Sequence, residues 1–202
     1  MDENQHCDLP EVESDLMHRR LEELAGDRAK KVQLTRLFPG DPTHYGLVLR
    51  VGAEWVVIAV FHDFYPEGYT ACRIRDVVEV HSGKREQFWA KMLAAEGLLD
   101  RIADPGDVGL DSTRALLSTL QARGRNIIVE CEDPDDDEDD VFLIGQILDV
   151  TVTSLSFTHF DSLGRWDDAP RTIPLEDITQ VQFESPYVEI FSRHLEVPSR
   201  RR

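Results

Sequence analysis

The sequence predicts an α+β, β-rich chain: two tandem units, each a helix, five short strands that close into a small barrel, and a trailing helix. Three observations predict it. First, Gly46-Leu47-Val48-Leu49-Arg50-Val51 matches Gly145-Gln146-Ile147-Leu148-Asp149-Val150 at the glycine, the leucine and the final valine. Second, the match runs on without a gap, setting Val56, Ile58 and Phe61 opposite Leu155, Phe157 and Phe160. Third, a very tight turn recurs, Arg75-Asp76 in one copy and Glu176-Asp177 in the other, inside the aligned runs Ile74–Val80 and Leu175–Val181. Self-similarity of this kind is the mark of a repeated supersecondary unit.

The elements follow in order. Met17, Leu21 and Leu24 recur at helical spacing and predict an amphipathic helix over about 12–30. Strands are expected near 31–38, 46–52, 55–63, 70–75 and 77–81. A helix over about 84–101 would be capped by Ser82 and would bury Phe88, Met92, Ala95 and Leu99 on one face. Asp104-Pro105-Gly106-Asp107 breaks the pattern. A helix near 112–123 starts at Asp111 or Ser112 and stops at Gly124. Strands are then expected near 126–131, 141–150, 153–161, 170–176 and 178–183. Ser185-Pro186, a cap followed by proline at the first helical position, opens a last helix to about 195. The expected division is a first unit over 1–103, a linker over 104–110 and a second unit over 111–202.

Consecutive short strands close most economically into a small barrel. The order, with its tight fourth-to-fifth turn, looks like the Sm-like or SH3-like small barrel. The segments Gly68-Tyr69-Thr70-Ala71-Cys72-Arg73-Ile74-Arg75-Asp76-Val77 and Pro174-Leu175-Glu176-Asp177-Ile178-Thr179 resemble uncharacterised bacterial proteins with tandem barrels of this kind. The resemblance implies that fold and a bacterial cytoplasm, and carries no activity to any residue.

The third strand differs between copies. Leu155 and Phe157 alternate with Ser154, Ser156 and Thr158, as in a strand with one wet face. In the first copy Val56, Ile58 and Val60 alternate with Trp55, Val57, Ala59 and Phe61, so both faces need cover. A helix of the same chain is one cover. The alternative is an association face made of Trp55, Val57 and Phe61, which leaves monomer and homodimer both open.

Composition narrows the function. The formal net charge is -17 over 202 residues, a field that repels nucleic-acid phosphates and anionic lipid and attracts basic proteins. No apolar run is long enough for a membrane span, and the acidic N-terminus lacks the apolar stretch of a secretory signal. Cys7, Cys72 and Cys131 are odd in number and widely spaced, which fits reduced thiols in a cytoplasm.

Glu132-Asp133-Pro134-Asp135-Asp136-Asp137-Glu138-Asp139-Asp140 is the loudest feature. It lacks the spacing, the glycine and the distal glutamate of a calcium loop, so no metal is assigned to it. Three readings remain: a solvated loop, a docking site for a basic partner through Asp135, Asp136, Asp137, Glu138, Asp139 and Asp140, with Trp166 as a further contact residue, or, least favoured, a cation site. His159, aligned with Val60, is expected on an inward face with its hydrogen bond satisfied. No phosphate-cradling glycine loop, nucleophile elbow or zinc spacing is present, so neither catalytic residues nor cofactors are assigned. The expectation is a non-enzymatic acidic module that engages a basic protein, one concrete form being an immunity-type or inhibitor protein. The alternatives are a self-association module using the outer face of the first barrel and an Sm-like RNA-binding protein.

Overall fold

Residues 11–38, 43–133 and 141–195 are described by a computed structural model of the chain. Among them the order is α1 (Glu11–Glu22), β1 (Val32–Arg36), β2 (Thr43–Val51), β3 (Trp55–His62), β4 (Tyr65–Arg73), β5 (Val77–His81), α2 (Lys84–Ala95), α3 (Thr113–Arg123), β6 (Ile127–Cys131), β7 (Val141–Val150), β8 (Ser154–His159), β9 (Arg171–Pro174), β10 (Gln180–Phe183) and α4 (Pro186–Ser192). The architecture is α+β. Every strand pairing is antiparallel, in one sheet of order β5-β1-β2-β3-β4-β10-β6-β7-β8-β9.

The two halves use one pairing scheme. β1 lies between β2 and β5, and β3 joins β2 to β4; likewise β6 lies between β7 and β10, and β8 joins β7 to β9. The aligned glycines hold equivalent places. Gly46 faces Val60 across β2–β3 and Gly145 faces His159 across β7–β8. A Cβ at Gly46 would run into the backbone carbonyl of Ala59, and one at Gly145 into that of Thr158. Two residues later the register slips at the same place in both pairs, between Val48 and Arg50 and between Ile147 and Asp149. A bulge bends its strand and deepens the local twist, so each hairpin curls around its half.

The sheet is open and runs through both halves from β4 to β10, where the sequence predicts that each half closes on itself. Tyr69, Thr70, Ala71 and Cys72 face Phe183, Gln182, Val181 and Gln180. Local alternation could not disclose this pairing, because its partners lie more than a hundred residues apart.

The cores follow from the junction. Leu21 of α1 and Leu24 just after it close one cluster over Leu34, Val48, Val56, Ile58, Cys72 and Val77. The other face of β3 joins the core of the second half. Trp55, Val57, Ala59 and Phe61 lie in one cluster with Leu93 of α2, Leu116, Leu117 and Leu120 of α3, and Val129, Leu143, Leu155, Phe157 and Val181. Trp55, Val57 and Phe61, the candidate association face, are therefore buried inside the chain, and no exposed patch remains there.

Two further expectations are corrected. The segment read as a linker is threaded into this core: Val108 and Leu110 are buried, and the Leu110 carbonyl accepts from the Glu54 and Trp55 amides. Helix α2 ends at Ala95 and buries Glu86, Ala90 and Leu93, whereas Phe88 is 60% exposed. The helix buries the face of Glu86, Ala90 and Leu93 and turns the expected face of Phe88, Met92 and Ala95 outward. Gly83 is the cap, and its amide donates to Glu86 Oε2 at 2.9 Å, while the Ser82 hydroxyl donates to the Lys31 carbonyl instead. Helix α3 matches expectation: Ser112 Oγ accepts from the Ala115 amide, and Gly124 ends the helix at φ 62.

Replacing either glycine by alanine overpacks a strand pair against backbone that cannot move aside, at about 1–3 kcal/mol. Gly46→Ala and Gly145→Ala are each expected to lower the urea midpoint with little change in slope. Equal losses at both sites are expected because the two hairpins share one geometry.

Candidate functional site

Asp135, Asp136, Asp137, Glu138, Asp139 and Asp140 lie outside the described residues, in the connection between β6 and β7. The run's first residue has an identifiable task. Glu132 forms a two-pronged ion pair with Arg36 of β1: Arg36 Nη1 donates at 2.5 Å and Nη2 at 2.7 Å, and Thr179 Oγ1 donates at 2.6 Å. Arg36 is 4% exposed. Burial alone would pull its pKa down, but the hydrogen-bonded carboxylate more than offsets this and holds the guanidinium charged.

Beside that pair a polar row crosses the β4–β10 junction. The amides of Gln180 and Gln182 donate to Glu130 Oε1 at 2.7 and 2.6 Å. Since Gln180 spends its NH2 there, its Oε1 must accept, and the His44 ring therefore donates to it from Nε2 at 2.5 Å. Arg73, also buried, donates from Nε to the Ile178 carbonyl and from Nη2 to the Leu175 carbonyl, both at 2.5 Å. Trp166 is half-buried. It meets Phe160 edge-on at 5.3 Å, beside the small core of Ile128, Ile144, Phe160 and Val188. It also lines a 530 Å³ hollow with Arg125, Asn126, Gln146, Glu189 and Arg193. His159 is half-buried, and its Nδ1 lies 2.9 Å from the Ile144 carbonyl.

The sequence reading missed a second hollow, of 430 Å³, between β2, β3 and α2. Lys31 lies at its wall and is 4% exposed. Its Nζ sits 4.4 Å from the centroid of Trp89, 5.8 Å from Phe61 and 5.9 Å from Tyr45. Phe64 stacks on Trp89 at 4.9 Å with planes 7° apart, which fixes the indole. Ring faces attract a cation but replace its lost hydration only in part. Burial accordingly pulls the Lys31 pKa down, Arg85 adds to the fall, and Asp63 and Glu86 oppose it. His44, His62, Glu67 and Arg85 complete the rim. Such a hollow can hold a small ligand with a flat apolar part against the rings and a polar end towards the amine. The lone signal in the sequence was a lysine just before a strand, which is commonplace.

Cys72 and Cys131 are poor nucleophiles. Burial pushes both the Cys72 and the Cys131 thiol up to about 12. Among the described residues, no group of three or more His, Cys, Asp or Glu side chains is placed to hold a metal ion, and no helix is long and apolar enough to cross a membrane.

Asp76 is the buried acid whose second oxygen finds no partner. Burial pushes its pKa up to about 6, against the pull of Arg75, Arg73 and Arg36. The folded state thus takes up the proton before the unfolded chain does. Its stabilising contribution is complete below the unfolded value of 3.8 and is lost as pH rises through about 6. Stability should fall between pH 4 and 7, and Asp76→Asn should flatten that slope in denaturant titrations. Removing the carboxylate of Glu132 instead strands a buried guanidinium. Glu132→Ala is expected to cost about 3–5 kcal/mol, far more than loss of an exposed pair. For Lys31, NMR titration of 13C-methylated amines should show its resonance moving at a pH below the ordinary lysine value.

Compared with protein-family models, curated proteins and solved structures, the chain finds no match.

Proposed function

We propose that the protein is a non-enzymatic acidic binding module of a bacterial cytoplasm that engages a basic protein. The observation that carries this reading is how the charge is distributed. Among the described residues Lys31, Arg36 and Arg73 are withdrawn into the interior, against the buried carboxylates Asp76 and Glu86 and the largely enclosed Glu130 and Glu132. Two of those cations are satisfied by rings or by main-chain carbonyls rather than by acids. Interior cations and acids thus roughly offset one another, and the surface is left with most of the net charge of -17. Charge of this kind speeds encounter with a positive partner and rejects phosphates.

Each half is read here as an Sm-like or SH3-like small barrel in tandem, supported by the shared pairing order, the paired glycines and the repeated bulge. The run Asp135–Asp140, in the sequence between β6 and β7, is the proposed contact, with Trp166 as the aromatic contribution. An inhibitor or immunity-type protein that masks a basic active site is the concrete form of this function. Self-association through Trp55, Val57 and Phe61 has lost its surface, because those side chains are covered from within.

Capture from native lysate at low and high salt tests the proposal. A basic partner released by salt, and lost when Asp135, Asp136, Asp137, Asp139 and Asp140 are replaced by serine, is the expected result. The serine variant should melt no lower than the wild type. Binding of short single-stranded RNA tighter than about 10⁻⁶ M at physiological salt would overturn the proposal.

A further inference from the structure

The two halves differ at one place where their pairing scheme should make them alike. β4 pairs with β10, its neighbour from the other half. β9 is the counterpart of β4, and β5 the counterpart of β10, yet β9 and β5 are the two outer strands of the sheet. In a second copy of the chain, β5 would offer β9 what β10 offers β4.

The backbone shows why β9 does not take up that offer. Ile74 donates its amide to the Glu54 carbonyl. Alternation along the strand then turns Arg73, Ala71 and Tyr69 away from β3 and towards β10, and the Arg73 amide reaches the Thr179 carbonyl at 3.5 Å. In the second half Leu175 donates its amide to the Thr153 carbonyl in the same way. Residues 174 and 172 therefore face the open edge, and Pro170 stands just before β9, at the next position of the same alternation. Register identifies them with the first set: Arg73 faces Trp55 where Pro174 faces Ser154, and Ala71 faces Val57 where Thr172 faces Ser156. The edge of β9 carries Pro174 and Thr172, with Pro170 just before the strand, so the amides that β4 presents at Arg73 and Tyr69 have no counterpart.

The side chains repeat the contrast. Arg73 clasps two carbonyls of the second half, and Tyr69 packs on Phe183 at 5.3 Å. Pro174 and Pro170 stand in their places. β5, by contrast, contains no proline, and its Val78 is 41% exposed.

We propose that Pro170 and Pro174 seal the β9 edge against the β5 edge of a second copy, so that the chain cannot grow head to tail. A β9–β5 contact would be heterologous: each copy would use one edge and leave the other open, giving rings or filaments. Proline on an outer strand is a recurrent device against such growth.

The test uses the full chain. Pro170→Tyr with Pro174→Arg places the β4 residues on β9, and Pro170→Ala with Pro174→Ala restores only the amides. Light scattering coupled to size exclusion should show the mass of at least one folded pair variant roughly doubling or more as concentration rises. Adding Val80→Pro in β5 should return it to the wild-type mass. Two results would overturn the proposal: both pair variants folded by near-ultraviolet circular dichroism yet unchanged in mass, or a wild-type mass that falls on Val80→Pro alone. Hydrogen exchange on the wild type supplies a reading that no substitution can spoil. The Thr172 amide should exchange fast at every protein concentration, and protection that grows with concentration would show the edge occupied.

Discussion

The pairing of β4 with β10 is the constraint on which the rest of the molecule depends. It converts two five-stranded halves into one sheet, and its four residue pairs decide what each half must bury. With β10 in place, the outer face of β3 looks into the second half, and Trp55 and Phe61 complete its core instead of facing water. The junction also brings Arg36 to Glu132 and Arg73 to the Leu175 and Ile178 carbonyls. Each of those cations would be a buried charge without its partner, at several kcal/mol apiece. Apolar cover and polar satisfaction thus hang on the same few backbone bonds, which argues that the two halves lose their structure together.

How much of this was legible follows from the range of each interaction. The glycines, the alternation of β8 and the two-sided β3 were readable because each is decided by residues within one hairpin. Caps at Ser112 and Ser185 were readable for the same reason, their partners lying three residues ahead. The face of α2 was misread because Phe88 looks like a core residue by type, while the buried positions include an acid, Glu86, whose carboxylate is used by the cap. The segment after it was misread because Asp104-Pro105-Gly106-Asp107 has linker chemistry, although Val108 and Leu110 behind it are core. Glu132 sat in a run of acids that reads as solvated, and nothing near it in sequence announces Arg36. Lys31 stood out only as a commonplace lysine before a strand, since its aromatic surroundings come from β2, β3 and α2.

The charge distribution imposes its own logic. A chain with so many carboxylates could have paired its interior cations with them, yet only Arg36 is used that way. Arg73 is held by carbonyls and Lys31 by rings. Those arrangements neutralise no acids, so the acids stay outside, where they repel one another and oppose compaction. A core that spans both halves can tolerate this opposition better than either half alone, because a larger fraction of its apolar surface is removed from water. The acidic surface and the shared core are therefore complementary features of one design.

The same pairing order has been put to different uses in the two halves, and one aligned pair shows how. Asp76 and Asp177 occupy the same tight turn. In the first half α1 packs against that turn and against β5, and Asp76 is buried with one oxygen unsatisfied. In the second half Asp177 is exposed. An enclosed carboxylate favours its protonated form, and an open one does not. The difference does not lie in the aspartate, which both turns carry. It comes from the helix laid over one copy alone, just as the fate of the two third strands comes from what covers them. In a molecule built this way the repeated hairpins carry the geometry, and the helices and edges that surround them assign each copy its chemistry.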